Sequence, residues 1–394
     1  LIRQRCREYM DAFRESGLSF QVAYASKAFC VKAMCRVVEE EGLSLDVVSD
    51  GELYTALEAG FPSERIHFHG NNKTPDELEM ALDANIGCFV VDNFVELRML
   101  SALANEKGKT VNILLRLTPG VEAHTHEFIS TGQIDSKFGF DLESGAAFEA
   151  VKEAASLSHV RLLGIHSLIG SQIFEVEGFK LAVEKVSEFA ADVRNRLKFD
   201  FEVLNLGGGF GIRYTNEDNP LPISAYVQAI TGAVKEQFGA LSMPIPQIWI
   251  EPGRSIVGEA GTTLYTVGTQ KEIPGVRKYV AVDGGMTDNI RPALYDSVYE
   301  AIVANRANEE PEEAVSIAGK ACESGDMLIW DLELPKVKNG DLLAVSCTGA
   351  YNYAMASNYN RIRRPAVVFV KDGQADLVVK RESREDIVSQ DVIP

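Results

Sequence analysis

A lysine, Lys27, closes the otherwise apolar run AYASKAF. Such a lysine is either a wet rim residue or an amine desolvated enough to attack a carbonyl and form an imine, and Lys27 alone does not choose between them. NLGGGFGI, Asn205 to Ile212, sets three glycines after an apolar run, and bare N–H groups there could close around a phosphate or form an ordinary tight turn. Ser171 in IGSQ and the EPGR segment, Glu251 to Arg254, are candidates to complete an anion cradle with Gly207, Gly208, Gly209 and Gly253. Glu251 has a second use. A carboxylate facing a ring nitrogen keeps that nitrogen protonated and strengthens the ring as an electron sink; the plainer role is an ion pair with an arginine. Cys322, in GKACESGD, has Glu323 and Asp326 close by, and a thiol so placed can hand a proton to a carbanion, although most free cysteines are buried spacers. His67 and His69 form an HxH on an apolar run, which puts both on one strand face. That spacing suits a metal-dependent hydrolase, but hydrogen-bonded core histidines are the commoner outcome.

These residues need a frame that brings distant segments together. From residue 20 onward, short β-branched runs alternate with helical stretches, the pattern of repeated βα units around a parallel sheet. The strands expected are FQVAYAS, SLDVVS, IHFHG, CFVVDN, VNILLRL, RLLGIHS, FEVLNLG and PQIWIEP. Thr74-Pro75-Asp76-Glu77 reads as a capping box that opens one intervening helix. Eight units in about 250 residues fit a (β/α)8 barrel, whose chemistry sits on the loops after the strands. Polar residues gather there: Lys27, Asp50, His69, Asn71, Asp92, Asn93, Arg116, His166, Ser171, Glu251 and Arg254. The loop from about Gly120 to Phe140, with His124 and His126, is long enough to suggest a functional role. After Gly258 strands follow one another without long helices: TTLYTVG, KYVAVDGG, VSIAG, DLLAVSC and PAVVFVKDGQADLVVK, with Asp372-Gly373 as a hairpin signal. The expected organisation is thus an α/β (β/α)8 barrel over 1–258, then a mainly antiparallel β domain over 259–394.

The composition narrows the function. The 394 residues are 46% apolar and 24% charged, ordinary globular usage with enough chain for a substantial core. A net charge of −18 repels a phosphate backbone, so nucleic acid is an unexpected partner. No run has the length of a membrane span and LIRQRCREYM lacks a signal peptide's apolar centre. Six scattered cysteines without a CxxC pair fit reduced thiols and argue against a zinc site or a disulfide framework. A cytoplasmic enzyme is expected. The chain opens without Met inside an amphipathic pattern, Ile2, Cys6, Met10 and Phe13 up to Gly17, so preceding sequence is also expected.

Taken together, AYASKA, HFHGNNKT, ISTGQIDSKFGF, GIHSLIGSQ, NLGGGFGI, EPGRSIV, VDGGM, RPALYDS, CESGD and GAYNYAMASNYN closely resemble the diaminopimelate branch of the pyridoxal-phosphate-dependent decarboxylases. The resemblance covers nearly the whole chain. It is similar, more distantly, to ornithine decarboxylase and alanine racemase. It implies a pyridoxal phosphate barrel followed by a β domain, and conversion of meso-2,6-diaminopimelate to L-lysine and CO2 at the end of lysine biosynthesis. Under it, Lys27 holds the cofactor covalently and Glu251 faces the pyridine nitrogen. Ser171, Gly207 to Gly209, Gly253, Arg254 and Tyr351 hold the phosphate. Arg254, Arg291, Tyr295 and Tyr351 bind the far carboxylate of the substrate, with Glu323 near its amine, and Cys322 returns the proton. The implied unit is a homodimer in which the Cys322 segment reaches the partner's barrel, with no metal.

Two departures accompany the resemblance. Where the family reads HxHIGS, with the second histidine stacked on the cofactor ring, this chain has Leu168. Members also carry roughly forty further residues before the barrel's first strand, judged from a normal barrel's bounds. The alternatives these leave open are a decarboxylase of the ornithine or arginine type and a cofactor-binding homologue with impaired catalysis.

Overall fold

The computed structural model describes residues 1–121 and 136–394, so His124, His126 and the ISTGQID part of the expected long loop lie outside the described residues. The chain forms two compact units. One comprises 1–211 and 220–256, the other 212–219 and 257–394, so the split at Ile256/Val257 is accompanied by an excursion between two barrel strands.

In the first unit the eight expected strands all form: β1 (Phe20–Ala25), β2 (Ser44–Val47), β3 (Ile66–Phe68), β4 (Cys88–Val91), β5 (Val111–Thr118), β6 (Val160–Ser167), β7 (Val203–Asn205) and β8 (Gln247–Ile250). Each pairs in parallel with its neighbour, β8 pairs with β1, and the sheet is a closed barrel. Closure leaves no free edge. A two-residue strand, Phe140–Asp141, adds to the end of β5. The opening helix, Ile2–Ser16, stops at Gly17, whose φ of 70° suits a left-handed cap. It buries Cys6, Tyr9, Ala12 and Phe13, and the Tyr9 hydroxyl lies 2.7 Å from Ser255 Oγ. Thr74 and Glu77 make the full capping box with Pro75 in the first turn of helix Pro75–Ala84.

The barrel interior changes character along its axis. Cys88, Val90, Leu114, Leu163, Val203 and Trp249 pack as one apolar cluster. They come from β4 to β8, strands on opposite sides of the barrel, so the cluster fills the lumen. Side chains repeat on one face every two residues, so the next inward position on several strands is Asp92, Arg116, Asn205 and Glu251. All four are buried. His67 and His69 follow the same rule on β3.

Beside this polar layer lies a buried ion pair. Lys73 Nζ donates to Glu96 Oε1 at 2.7 Å, Val90 O at 2.8 Å and Gly70 O at 2.9 Å. All three ammonium protons are therefore satisfied. Glu96 in turn accepts from the Asp92 amide at 2.9 Å. The pair thus ties the loop after β3 to the end of β4. Lys73→Met strands an unpaired carboxylate and is expected to cost about 3–5 kcal/mol, read as a lower urea midpoint. The double variant with Glu96→Gln should recover part of that loss; a midpoint equal to the parent's in the single variant would show that the pair contributes nothing.

The second unit carries a six-stranded sheet. Its strands are β9 (Thr262–Ile273), β10 (Arg277–Val282), β11 (Ala301–Val303), β12 (Glu313–Ala318), β13 (Met327–Leu334) and β14 (Leu342–Ser346), in the order β11-β14-β9-β10-β12-β13. Pairing is antiparallel except between β10 and β12. Its core holds Tyr265, Val280, Tyr299, Ile317 and Leu343. A separate hairpin, β15 (Val367–Lys371) and β16 (Gln374–Val379), turns at Asp372 and Gly373, with φ of 51° and 74°. Two positive φ values make the mirror-image turn that matches strand twist. The excursion 212–219 belongs to this unit through the Asn216 amide on Glu300 at 2.9 Å, Cys347 Sγ on Arg213 O, and Tyr214 edge-on to Tyr299.

Candidate active site

In the first unit the expected residues fall into two neighbouring groups. The first surrounds Glu251, one residue beyond β8 and 6% exposed. Asn205 Nδ2 donates to its Oε1 at 2.6 Å, His166 Nε2 lies 3.1 Å from Oε2, and His69 Nε2 lies 2.8 Å from Oε1 without good hydrogen-bond alignment. Burial works against ionisation of Glu251, but the two histidines outweigh it and hold the acid well below the usual carboxylate range. Burial also pushes His69 down to about 3 and His67 to about 4, and lowers His166. Glu251 and the imidazoles of His69 and His166 thus form one buried cluster in which the charge of each depends on the others. Asp46, whose Oδ1 is 3.7 Å from His69 Nε2, is raised well above the carboxylate range by burial and by the Glu251 charge.

These shifts have a direction that pH can test. An unfolded histidine takes up its proton near 6.5, the folded His67 and His69 only near 4 and 3. Between these values the unfolded chain binds more protons, so stability falls as pH drops from 6.5 toward 4. Carboxylates raised by burial, Asp46, Glu52, Glu96, Asp288 and Asp326, act in the opposite sense, so the imidazole contribution is read as a difference between variants. Between about pH 7 and pH 5 the urea midpoint of His67→Gln should fall less, or rise more, than the parent's; an identical change in both would mean that burial does not hold the His67 imidazole neutral.

The HxH pair does not act as one. His69, His166 and Glu251 offer three ligand atoms within 4.8 Å of one another, a set that could hold a cation. His67 is not among them. Its ring stacks on Trp249 at 4.4 Å and its Nε2 lies 2.8 Å from the Gln21 amide, the core role weighed for it.

The second group is built from the loops after β6, β7 and β8. Arg254 reaches Ser171 Oγ with NH2 at 3.0 Å and Nε at 3.3 Å. The glycine run is needed for close approach: a Cβ on Gly208 would lie 2.3 Å from Glu251 O, and one on Gly209 2.5 Å from Gly170 O. Gly207 and Gly209 also have φ of 65° and 101°. Among the described residues no protein acceptor takes the Gly208 and Gly209 amides. Gly253 packs its Cα against Ala25 and Ala28, the residues around the short turn Ser26–Ala28 that carries Lys27. Lys27 is exposed at the barrel mouth. Leu168 is partly buried, its Cδ1 2.8 Å from where a Gly207 Cβ would stand.

Some strand-end polar residues have structural duties instead. Asn93 caps helix Phe94–Glu106 and Asp50 begins helix Asp50–Glu58 after the Ser49 cap. Sequence reasoning left out Asn205 and Asp46 as site members. Their signal was a lone polar residue at an inward position of an apolar strand.

The second unit gathers Arg291, Tyr295 and Tyr351: the buried guanidinium carbon lies 5.4 Å and 5.8 Å from the two rings. Arg291 also donates to Tyr299 Oη at 2.9 Å and Ser297 Oγ at 3.1 Å. Cys322 is exposed on a turn, with Glu323 Oε1 accepting from Gly325 N.

A buried carboxylate, a glycine loop and an exposed lysine thus sit at the C-terminal ends of the barrel strands. The model of the pyridoxal-dependent decarboxylases, pyridoxal binding domain, matches residues 1–258. Diaminopimelate decarboxylase of Bacillus subtilis strain 168 is 63% identical over 392 residues, covering 100% of this chain and 89% of the relative. The same enzyme of Staphylococcus aureus strain COL is 52% identical, covering 99% and 91%. The crystal structure of diaminopimelate decarboxylase from M. jannaschii in co-complex with L-lysine superposes with a TM-score of 0.93 at 39% identity, covering 100% of this chain and 90% of that one. With the cofactor-domain model spanning the barrel and such identity running end to end, the chain belongs to the diaminopimelate decarboxylase family of pyridoxal-dependent decarboxylases.

Proposed function

We propose that this chain decarboxylates meso-2,6-diaminopimelate to L-lysine and CO2 with pyridoxal 5'-phosphate. The observation that carries the proposal is Glu251, a carboxylate 6% exposed at the end of a barrel strand with Asn205, His69 and His166 at 2.6, 2.8 and 3.1 Å from its oxygens. A buried anion without a formal countercharge in contact is costly, and a protonated pyridine nitrogen supplies that countercharge. The cofactor therefore fits the residues present: Glu251 for the ring nitrogen, the Gly208 and Gly209 amides with Ser171 and Arg254 for the phosphate, and Lys27 for the aldehyde. When bound, the cofactor supplies an electron sink for the pair left behind when CO2 departs.

The protein's own tasks follow from chemistry. Glu251 keeps a proton on the ring nitrogen, and Asn205 and the two imidazoles fix the carboxylate's orientation. Lys27 would supply the amine that holds the cofactor's aldehyde carbon. Arg291 with Tyr295 and Tyr351 offers a planar cation for the substrate's far carboxylate, Arg254 contributes to the same recognition, and Glu323 takes the far ammonium. Cys322 delivers the proton that replaces CO2. Leu168, partly buried beside Gly207, would offer the cofactor ring an apolar contact.

Exposure of Cys322 supports a homodimer in which this turn serves the partner's barrel. The location proposed with this activity is the cytoplasm; among the described residues no helix is long and apolar enough to cross a membrane. The test is turnover of meso-diaminopimelate, ornithine and arginine side by side, with pyridoxal phosphate added. Lysine formed from diaminopimelate, with the other two substrates left intact, supports the proposal. Faster release of CO2 from ornithine or arginine overturns the substrate, and no turnover by a chain that binds the cofactor overturns the activity.

A further inference from the structure

The turn bearing Cys322 and Glu323 is held from two sides by side chains with no task in the chemistry above. Asp326, 4% exposed, closes the turn from within. Its amide donates to Glu323 O at 3.1 Å and its carbonyl accepts from Gly319 N at 2.8 Å. Its carboxylate accepts from Ala321 N at 2.7 Å and from Met286 N at 2.6 Å, which ties the turn to the VDGGM segment. Two glycines make the socket: a Cβ on Gly319 would stand 2.1 Å from Asp326 Oδ1, and one on Gly285 2.5 Å.

On the other side, Asn360 Oδ1 accepts from the Cys322 amide at 2.7 Å. The backbone that brings it there is unusual. Asn360 and Arg361 have φ of 52° and 56°, two successive non-glycine residues in the left-handed region, where a Cβ is disfavoured and persists only when the surroundings enforce it. Arg361 supplies that enforcement through Ile387 O at 2.6 Å and Asp391 Oδ2 at 2.9 Å. Glycine would relieve the conformation at residue 360 but has no oxygen to give to Cys322.

We propose that Asn360 is a positioning residue: it anchors the Cys322 amide so that the thiol is presented in one orientation for proton delivery, while Asp326 fixes the same turn from beneath. The proposal rests on Cys322 being the proton donor. Asn360→Gly keeps the backbone conformation and removes only the anchor. In the holoenzyme it is expected to lower kcat by about tenfold or more, the scale of a small misplacement of a reacting group, and to raise the solvent deuterium isotope effect on kcat. KM for diaminopimelate and the thermal midpoint should stay near the parent's. Asn360→Asp, which restores an acceptor, should return most of the rate, compared at a temperature where all variants are folded. Parental kcat and isotope effect in Asn360→Gly, alongside a slow Cys322→Ser, overturn the positioning role and leave Cys322 in place. A fast Cys322→Ser overturns the donor role itself, and the proposal with it.

Discussion

Lys27→Ala leaves a folded chain that forms no measurable lysine, a loss on the order of 10⁴-fold or more if Lys27 acts as a catalytic nucleophile does. The reasoning is local. Lys27 sits on a three-residue turn at the mouth of the barrel, and Gly253 packs against its neighbours Ala25 and Ala28. Removing an exposed side chain there leaves the buried contacts intact, so stability should change little. The amine is what disappears. Borohydride treatment of the loaded parent should fix the cofactor's mass on the peptide containing Lys27, and the variant should show no such peptide. Lysine formation at the parental rate by Lys27→Ala, or cofactor mass on another lysine, would remove Lys27 from the mechanism.

The second large effect is at Glu251. Glu251→Gln preserves shape and keeps an oxygen for Asn205, yet removes the negative charge that holds a proton on the ring nitrogen. A drop of about 10²–10³-fold in kcat is expected, the range for deleting one preorganised electrostatic partner. Bound cofactor should remain visible by its absorbance, because the phosphate loop and Lys27 are untouched. The same variant should leave the histidine contribution to the acid dependence of stability in place or enlarge it, since the carboxylate that raises His69 and His166 toward their free value is gone. Unchanged kcat would mean that the ring needs no ionised partner here.

Much of the frame was legible because local rules agree with the global fold. The eight barrel strands, the Thr74 capping box and the Asp372-Gly373 turn each follow from composition and spacing over a few residues. Strand β13, MLIWDLEL, was not expected, since its alternation is broken and Trp330 is exposed. The short β11 offers too few residues for a pattern. At the site, Lys27, Glu251 and the Ser171–Arg254 pairing were visible as motifs, and the structure brings the last two together. What motifs hide is register. Asn205, His69 and His166 meet Glu251 because their strands present the same inward level, and Asp50 and Asn93 resemble site residues in the sequence while serving helix starts. The separation of His67 from His69 by one level of the lumen is likewise a property of the closed barrel.

The excursion of residues 212–219 bears on how the chain is made. β7 precedes it and β8 follows it, but Asn216 finds its partner Glu300 84 positions later, and Arg213 waits longer still for Cys347. At about 5–20 residues per second on the ribosome, the barrel's last strands emerge several seconds before this segment has anything to hold. A piece of the second unit, including the ring of Tyr214, is thus made between two strands of the first and stays open to solvent and to chaperones until the rest of its own unit follows. Its final closure is a late, C-terminal event, and a chain released early would carry that unsealed loop as its mark.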